Sequence, residues 1–203
     1  MDKPQFKIAF TTEEISDFEP NMIAEILDQG WDMIHIRHPR TSFRDMRNLI
    51  ESIPMRYHSR LRLHGHFELL NSFNLGGIHL NRRCPVPPAN YRGPYSRSCH
   101  SFGELKECGD CDYVTLSPIF DSISKNGYRS GFEKKQLFKF DKTASSGVTI
   151  KVIALGGITP ERLPALSDMD FDGFAVLGAL TGASDLEEFR KNLRSFTQTL
   201  NNI

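Results

Sequence analysis

Chemistry in this chain is open to a handful of side chains and to two bare stretches of backbone. His100 lies in the string Ser98-Cys-His-Ser101, and His64, His66 and His79 are three more of the seven histidines. An imidazole, with a reference pKa of about 6.5, both donates and accepts protons near neutrality, which makes a positioned histidine the natural acid–base group. Gly156 and Gly157 follow an aliphatic run that begins at Ile150, and Gly178 follows Phe174-Ala-Val-Leu177. Glycines leave N–H groups uncovered, and at a helix start those groups present the positive end of the helix dipole to an anion. The expected chemistry is that of a phosphorylated small molecule, anchored at Gly157 and at Leu177-Gly178, with a histidine to move a proton.

Two other patterns are set aside. Cys108-Gly-Asp-Cys111 has the spacing of a metal or redox pair, but no second pair follows at zinc-ribbon spacing, and Gly109 closes a helix instead of opening one. All four cysteines are therefore expected to be free structural thiols. His64-Gly-His66 with His79 suggests a metal, yet residues two apart share a face only while a strand continues. Gly65 and Cys84 also offer no carboxylate to an oxygen-seeking ion such as Mg²⁺. Ligand type thus predicts no bound metal and no cofactor.

These groups must be held by a scaffold, and composition bounds it. The chain has 203 residues with 25 basic and 25 acidic side chains, so no net field draws it to nucleic acid or to an anionic membrane. No apolar run approaches a membrane span, and Met1-Asp-Lys-Pro4 leads straight into a short strand without a signal-peptide core. A cytoplasmic protein of one domain, residues 1–203, with a small-molecule ligand is expected; homo-oligomerisation is left open.

Apolar periodicity places strands at 7–10, 33–37, 61–64, 77–80, 95–99, 113–116, from 150 onward, and at 174–177. Helices fall at 20–29, after Ser42, at 67–73, after Ser101, at 133–140, after Thr159-Pro160 and after Ser184, the serines and Thr159 acting as N-caps. Pro85, Pro87 and Pro88 leave room for at most one helical turn between the fourth and fifth strands. Eight strand–helix units predict an α/β fold, a (β/α)8 barrel with a reduced fourth helix. Its strand C-termini would gather Thr11, Arg37, His64, His79 or Asn81, His100, Ser117, Gly157 and Gly178 around one mouth. The loop 117–131 is a candidate lid.

In order and placement, several strings resemble the thiamine phosphate synthase and TenI superfamily over essentially the whole chain. They are Ile34-His-Ile-Arg37, Gly77-Ile-His-Leu80, Arg97-Ser-Cys-His-Ser101, Asp112-Tyr-Val114, Ser117-Pro-Ile-Phe120 with Lys125, Ala154-Leu-Gly-Gly-Ile-Thr-Pro160 and Gly173-Phe-Ala-Val176. The resemblance implies a TIM barrel acting on a thiazole phosphate in thiamine biosynthesis. Synthases of the superfamily join a pyrimidine diphosphate to the thiazole phosphate with Mg²⁺ on two aspartates. Here the aspartate positions match Gly65 and Cys84, the strand-three asparagine matches His64, and the strand-two pattern of glutamine, arginine and lysine matches His35, Arg37 and Pro39.

Loss of the carboxylates points to the TenI branch, whose thiazole tautomerases aromatise a thiazole carboxylate phosphate without metal, and whose catalytic histidine falls on His100. The resemblance makes Arg37, His64, Ser98, Ser122, Ser124, Lys125, Gly157, Leu177 and Gly178 the expected substrate and phosphate ligands. The alternative is a synthase, with Mg²⁺ as its cofactor or with a pyrophosphate site rebuilt from His35, Arg37, Arg82 and Arg83. A further alternative is a non-catalytic protein that binds or senses a phosphorylated ligand.

Overall fold

The computed structural model describes residues 6–121 and 131–203. Eight parallel strands close on themselves in sequence order: β1 (Phe6–Phe10), β2 (Met33–Ile36), β3 (Leu61–Leu63), β4 (Ile78–Leu80), β5 (Tyr95–Cys99), β6 (Tyr113–Leu116), β7 (Val152–Leu155) and β8 (Gly173–Val176). The helices are α1 (Glu19–Asp28), α2 (Phe43–Ser52), α3 (Phe102–Leu105), α4 (Lys134–Leu137), α5 (Leu163–Leu166), α6 (Gly178–Thr181) and α7 (Leu186–Asn202). The expected (β/α)8 barrel is the fold. Among the described residues no helix is long and apolar enough to cross a membrane.

Alternation along each strand sorts the side chains into two cores. Ala9, Ile34, Ile36, Leu61, Leu63, Val114, Leu116, Val152, Ala154, Phe174 and Val176 point outward and pack beneath the helices. Trp31, after α1, meets Phe174 of β8 and Phe196 of α7 edge-on, with centroids 5.7 and 5.9 Å apart. A smaller apolar cluster of Ile8, Phe10, Tyr113, Ile153 and Ala175 fills the barrel interior. Gly173 permits the closing contact between β8 and β1, since a Cβ there would lie 2.1 Å from the Phe6 carbonyl oxygen.

Several local expectations shift, each for a physical reason. No helix forms between β4 and β5; the proline-rich stretch passes over the barrel wall as irregular chain. The helix expected at 133–140 contracts to α4, where the side chain of Glu133 accepts from the backbone of Gln136 and that of Gln136 reaches back. Thr159 opens a 3₁₀ turn, Pro160–Arg162, without capping it through its side chain. The cap of α7 is Asp185, not Ser184: the Asp185 carboxylate accepts from the N–H groups of Glu187 and Glu188, both at 2.9 Å. Ser184 instead donates its own N–H to Glu188, 2.7 Å. Ser42 and Ser101 cap α2 and α3 as expected.

Phe174 is fully buried in the outer core, edge-on to Trp31. Phe174→Ala is expected to cost about 3–5 kcal/mol, the range for emptying a buried aromatic site, read as a lower urea midpoint at unchanged slope.

Candidate functional site

The C-terminal ends of the strands form the mouth, and register decides which side chains face the interior there. His35 pairs with Arg62, His79 with Ser96, Ser96 with Tyr113 and Ser98 with Thr115. These residues therefore line one inner wall, on β2 to β6, while β1, β7 and β8 supply Ile8, Phe10, Ile153 and Ala175 opposite. The barrel interior is polar on one side and apolar on the other.

The polar wall is a connected hydrogen-bond network. His35 Nε2 lies 2.5 Å from the Tyr113 hydroxyl, and His35 Nδ1 lies 2.8 Å from His64 Nε2. His79 Nδ1 meets Ser96 Oγ and His79 Nε2 meets Ser98 Oγ, each at 2.8 Å. The His64 and His79 rings stack at 4.3 Å, and Phe10 stacks on His35 at 4.4 Å. Below them Arg62, with its guanidinium over the Tyr113 ring, donates to Asp112 at 2.8 Å and to the Gly76 carbonyl. Arg62 Nη1 and Thr115 Oγ1 are buried there without a hydrogen-bond partner.

Burial keeps these imidazoles neutral. The pKa of His35 is lowered by burial first, then by His79 and His64 and by Arg62. That of His64 is lowered by burial, by His79, and by Arg37, Arg83 and Arg62. His79 falls to about 3 through burial and Arg62. Tyr113 is pushed up to about 12 by burial and stays protonated.

Of the residues expected at the site, His64 and Ser98 come together through His79. Arg37 stands at the end of β2, its backbone N–H donating to Thr11 Oγ1 and its guanidinium to Glu13, 3.1 Å. His100 is apart from the network: it is exposed on the rim beyond β5, with Nδ1 3.1 Å from the Ser117 carbonyl oxygen and 3.2 Å from Ser117 Oγ. Ser122, Ser124 and Lys125, like most of the candidate lid, lie outside the described residues. Gly157 has φ +65°, and a Cβ there would lie 2.5 Å from the Asp121 carbonyl oxygen. Arg162 locks this turn by donating to the carbonyls of Gly157, 2.7 Å, and Asp121, 3.0 Å. Leu177 and Gly178 begin α6 beside it. The four cysteines are free, with Cys99 and Cys108 sulfurs 3.6 Å apart.

His66 leaves the wall because β3 ends at Leu63; in left-handed backbone, φ 50°, it turns to the Thr41 carbonyl, 2.9 Å. His35 takes the third place, which the histidine spacing alone did not reveal. Its signal was its parity on β2, readable once β2, β3 and β4 are set in register. The Mg²⁺ that the superfamily's synthases use does not suit this wall. A Cβ at Gly65 would meet nothing within 4 Å, Cys84 lies in a turn held by Asn81, and Glu13 is engaged by Arg37 and Arg40. An imidazole wall is a poor host for an ion that seeks oxygen.

A closed eight-stranded α/β barrel with its titratable groups gathered at the strand C-termini defines the class. The chain belongs to the thiamine monophosphate synthase family, whose model matches residues 8–180. It is 32% identical to a thiamine phosphate pyrophosphorylase of Bacteroides thetaiotaomicron, with a TM-score of 0.81 over 97% of this chain and 98% of that one. A thiamine-phosphate synthase of Methanobrevibacter smithii is 24% identical over 184 residues, 85% of each chain. A thiamine phosphate pyrophosphorylase of Pyrococcus furiosus, 18% identical with a TM-score of 0.77 over 98% of this chain and 97% of that one, shares the fold. The chain is thus placed in thiamine biosynthesis, and its named relatives are synthases, not tautomerases.

Three imidazoles held neutral when folded, but free to protonate when unfolded, tie stability to pH. The unfolded chain binds more protons below about pH 6.5. Stability is therefore expected to fall as pH drops from there toward 3, where His79 also titrates. Urea unfolding across this range checks it, and His64→Asn is expected to flatten the slope.

Proposed function

We propose that the chain is a thiamine-phosphate synthase, which joins a pyrimidine diphosphate to a thiazole phosphate and releases pyrophosphate. The observation that carries this reading is the end-to-end likeness, at 32% identity, to a thiamine phosphate pyrophosphorylase. It replaces the tautomerase as the first reading. The glycine turns after β7 and β8 support a thiazole-phosphate anchor, since the commonest anion site of eight-fold barrels lies after those two strands. Arg37 at the end of β2 and Arg83 after β4 bear on His64 from the rim and supply positive charge for a diphosphate. A guanidinium binds a phosphate through paired N–H donors, which partly makes up for absent carboxylate-held Mg²⁺. At the mouth end of the wall, the half-buried His64 and Ser98 present polar atoms for the edge of a heterocycle.

A second reading, metal-free thiazole tautomerisation, draws on a separate observation. His100 stands on the rim within reach of Ser117, and Gly65 and Cys84 leave no seat for Mg²⁺. There His100 would shuttle the proton, with the phosphate anchor holding the ring still.

Purified protein supplied with both synthase substrates is expected to form thiamine phosphate and pyrophosphate, and Arg37→Ala to raise KM for the diphosphate more than it lowers kcat. Formation of the aromatic thiazole from its unaromatised tautomer, with no coupling of the two substrates, would transfer the assignment to the tautomerase. His100→Asn then separates the two: it is expected to lower tautomerisation by about 10²–10⁴ if the imidazole is the acid–base group, and to leave coupling within a few-fold.

A further inference from the structure

His35 of β2, His64 just after β3 and His79 of β4 meet on the inner wall, with ring centroids 4.3 to 5.0 Å apart. One ring nitrogen from each of the three lies within 4.8 Å of the other two. We propose that His35, His64 and His79 form a binding site for a single divalent transition ion of the Zn²⁺ and Co²⁺ class, open toward the barrel mouth. The proposal holds whichever of the two reactions the enzyme performs.

Ligand chemistry selects the ion. Three imidazoles without a carboxylate suit Zn²⁺, Co²⁺ or Ni²⁺ and disfavour Mg²⁺ or Ca²⁺. Three protein nitrogens leave a fourth position for water or an anion, the pattern of an open zinc site. The wall also supplies outer partners. With Nδ1 on the ion, His35 would donate Nε2–H to the Tyr113 oxygen, 2.5 Å away; with Nε2 on the ion, His79 would donate Nδ1–H to Ser96 Oγ, 2.8 Å away. Groups of this kind fix the tautomer and the ring plane of metal-bound histidine.

The geometry requires local changes at all three rings: His79 Nε2 must leave Ser98 Oγ, now 2.8 Å away, and nitrogens now spread within 4.8 Å of one another must draw together. Zinc–nitrogen bonds of about 2.0–2.1 Å in a tetrahedron set the nitrogens about 3.4 Å apart. His35 and His64 now share a proton at 2.8 Å, so they must open by roughly 0.6 Å on that basis and release the proton. His64 must also turn out of its stack on His79, because a lone pair lies in the ring plane. It can do so: it is partly exposed and follows the last residue of β3. Charge argues for an anion as fourth ligand. Arg37 and Arg83 approach from the rim and Arg62 from below, and although Arg37 is shared with Glu13 and Arg62 with Asp112, the surroundings stay cationic. An oxygen of a phosphate or a hydroxide would balance an ion held there.

The test is a Co²⁺ titration of the full chain after removal of metals with a chelator. One Co²⁺ per chain is expected, with visible bands of tetrahedral intensity, no sulfur-to-cobalt charge transfer in the near ultraviolet, and displacement by Zn²⁺. His64→Asn and His35→Gln are expected to weaken binding at least tenfold, while Cys84→Ser and Cys111→Ser leave it unchanged. Because His35 is buried and its variant could misfold, imidazole ¹⁵N resonances of the unaltered protein provide a second reading: Zn²⁺ should shift three of the seven histidines together. Absence of stoichiometric binding, binding that survives His64→Asn, or a thiolate band would overturn the proposal and leave the three rings as a hydrogen-bonded wall.

Discussion

A barrel of eight short strands has little interior, and what goes into it must satisfy its own polar atoms. In this protein one inner wall carries His35, Arg62, His79, Ser96 and Tyr113, all fully or nearly buried. Water cannot solvate these groups as it would outside, so each imidazole nitrogen must find a partner on a neighbouring strand. His35 reaches to β6 and past β3, and His79 reaches twice to β5. The network ties five consecutive strands through side chains as well as through the backbone ladder. Register slippage at any strand would strand a buried donor, so the polar wall specifies the barrel's stagger in a way that its apolar half cannot.

The same wall governs the chemistry at the mouth. A carboxylate pair holding Mg²⁺ and a stack of neutral imidazoles are alternative ways to build one region of the barrel, and they make opposite electrostatic demands. Carboxylates require a cation to offset them. Neutral imidazoles next to Arg37 and Arg83 leave a positive rim that attracts anions directly. Under the proposed synthase reading, guanidinium groups there would grip the diphosphate, and backbone at the ends of β7 and β8 the thiazole phosphate. On that reading both ligands would enter from the strand C-termini, where Arg162 braces the turn at Gly157 against the chain at Asp121.

Legibility from sequence divided along physical lines. The eight strands were readable because aliphatic runs buried on one or both faces have few alternative uses, and β5 begins and ends as the pattern suggested. Helix lengths were less readable, since α3 to α6 are four-residue elements whose extent is decided by packing and not by periodicity. At α7, Ser184 and Asp185 are both competent caps, and only the chain's path selects the aspartate. Arg37, His64, Ser98 and His100 were read at or just past strand ends, and the structure has them there. His35 was named only for a rebuilt pyrophosphate site, and its meeting with Tyr113 was not read, because that depends on parity across five strands and on barrel stagger, which spacing within one segment does not encode. Arg62 was hidden for the same reason: on its own strand it reads as a solvent-facing charge.

Between β4 and β5 the wall has no helix outside it. The chain there is pinned at a few points, by Arg97 donating to the Pro85 carbonyl, by the Tyr91 hydroxyl donating to Pro94, and by the mutual backbone bonds of Asn81 and Cys84. Such a seam joins the two halves of the barrel through strand pairing alone, with no helix interlocking across it. In engineering terms it is where the ring can be cut: new termini placed within 85–93 would sever no regular element and leave every strand-to-strand bond in place.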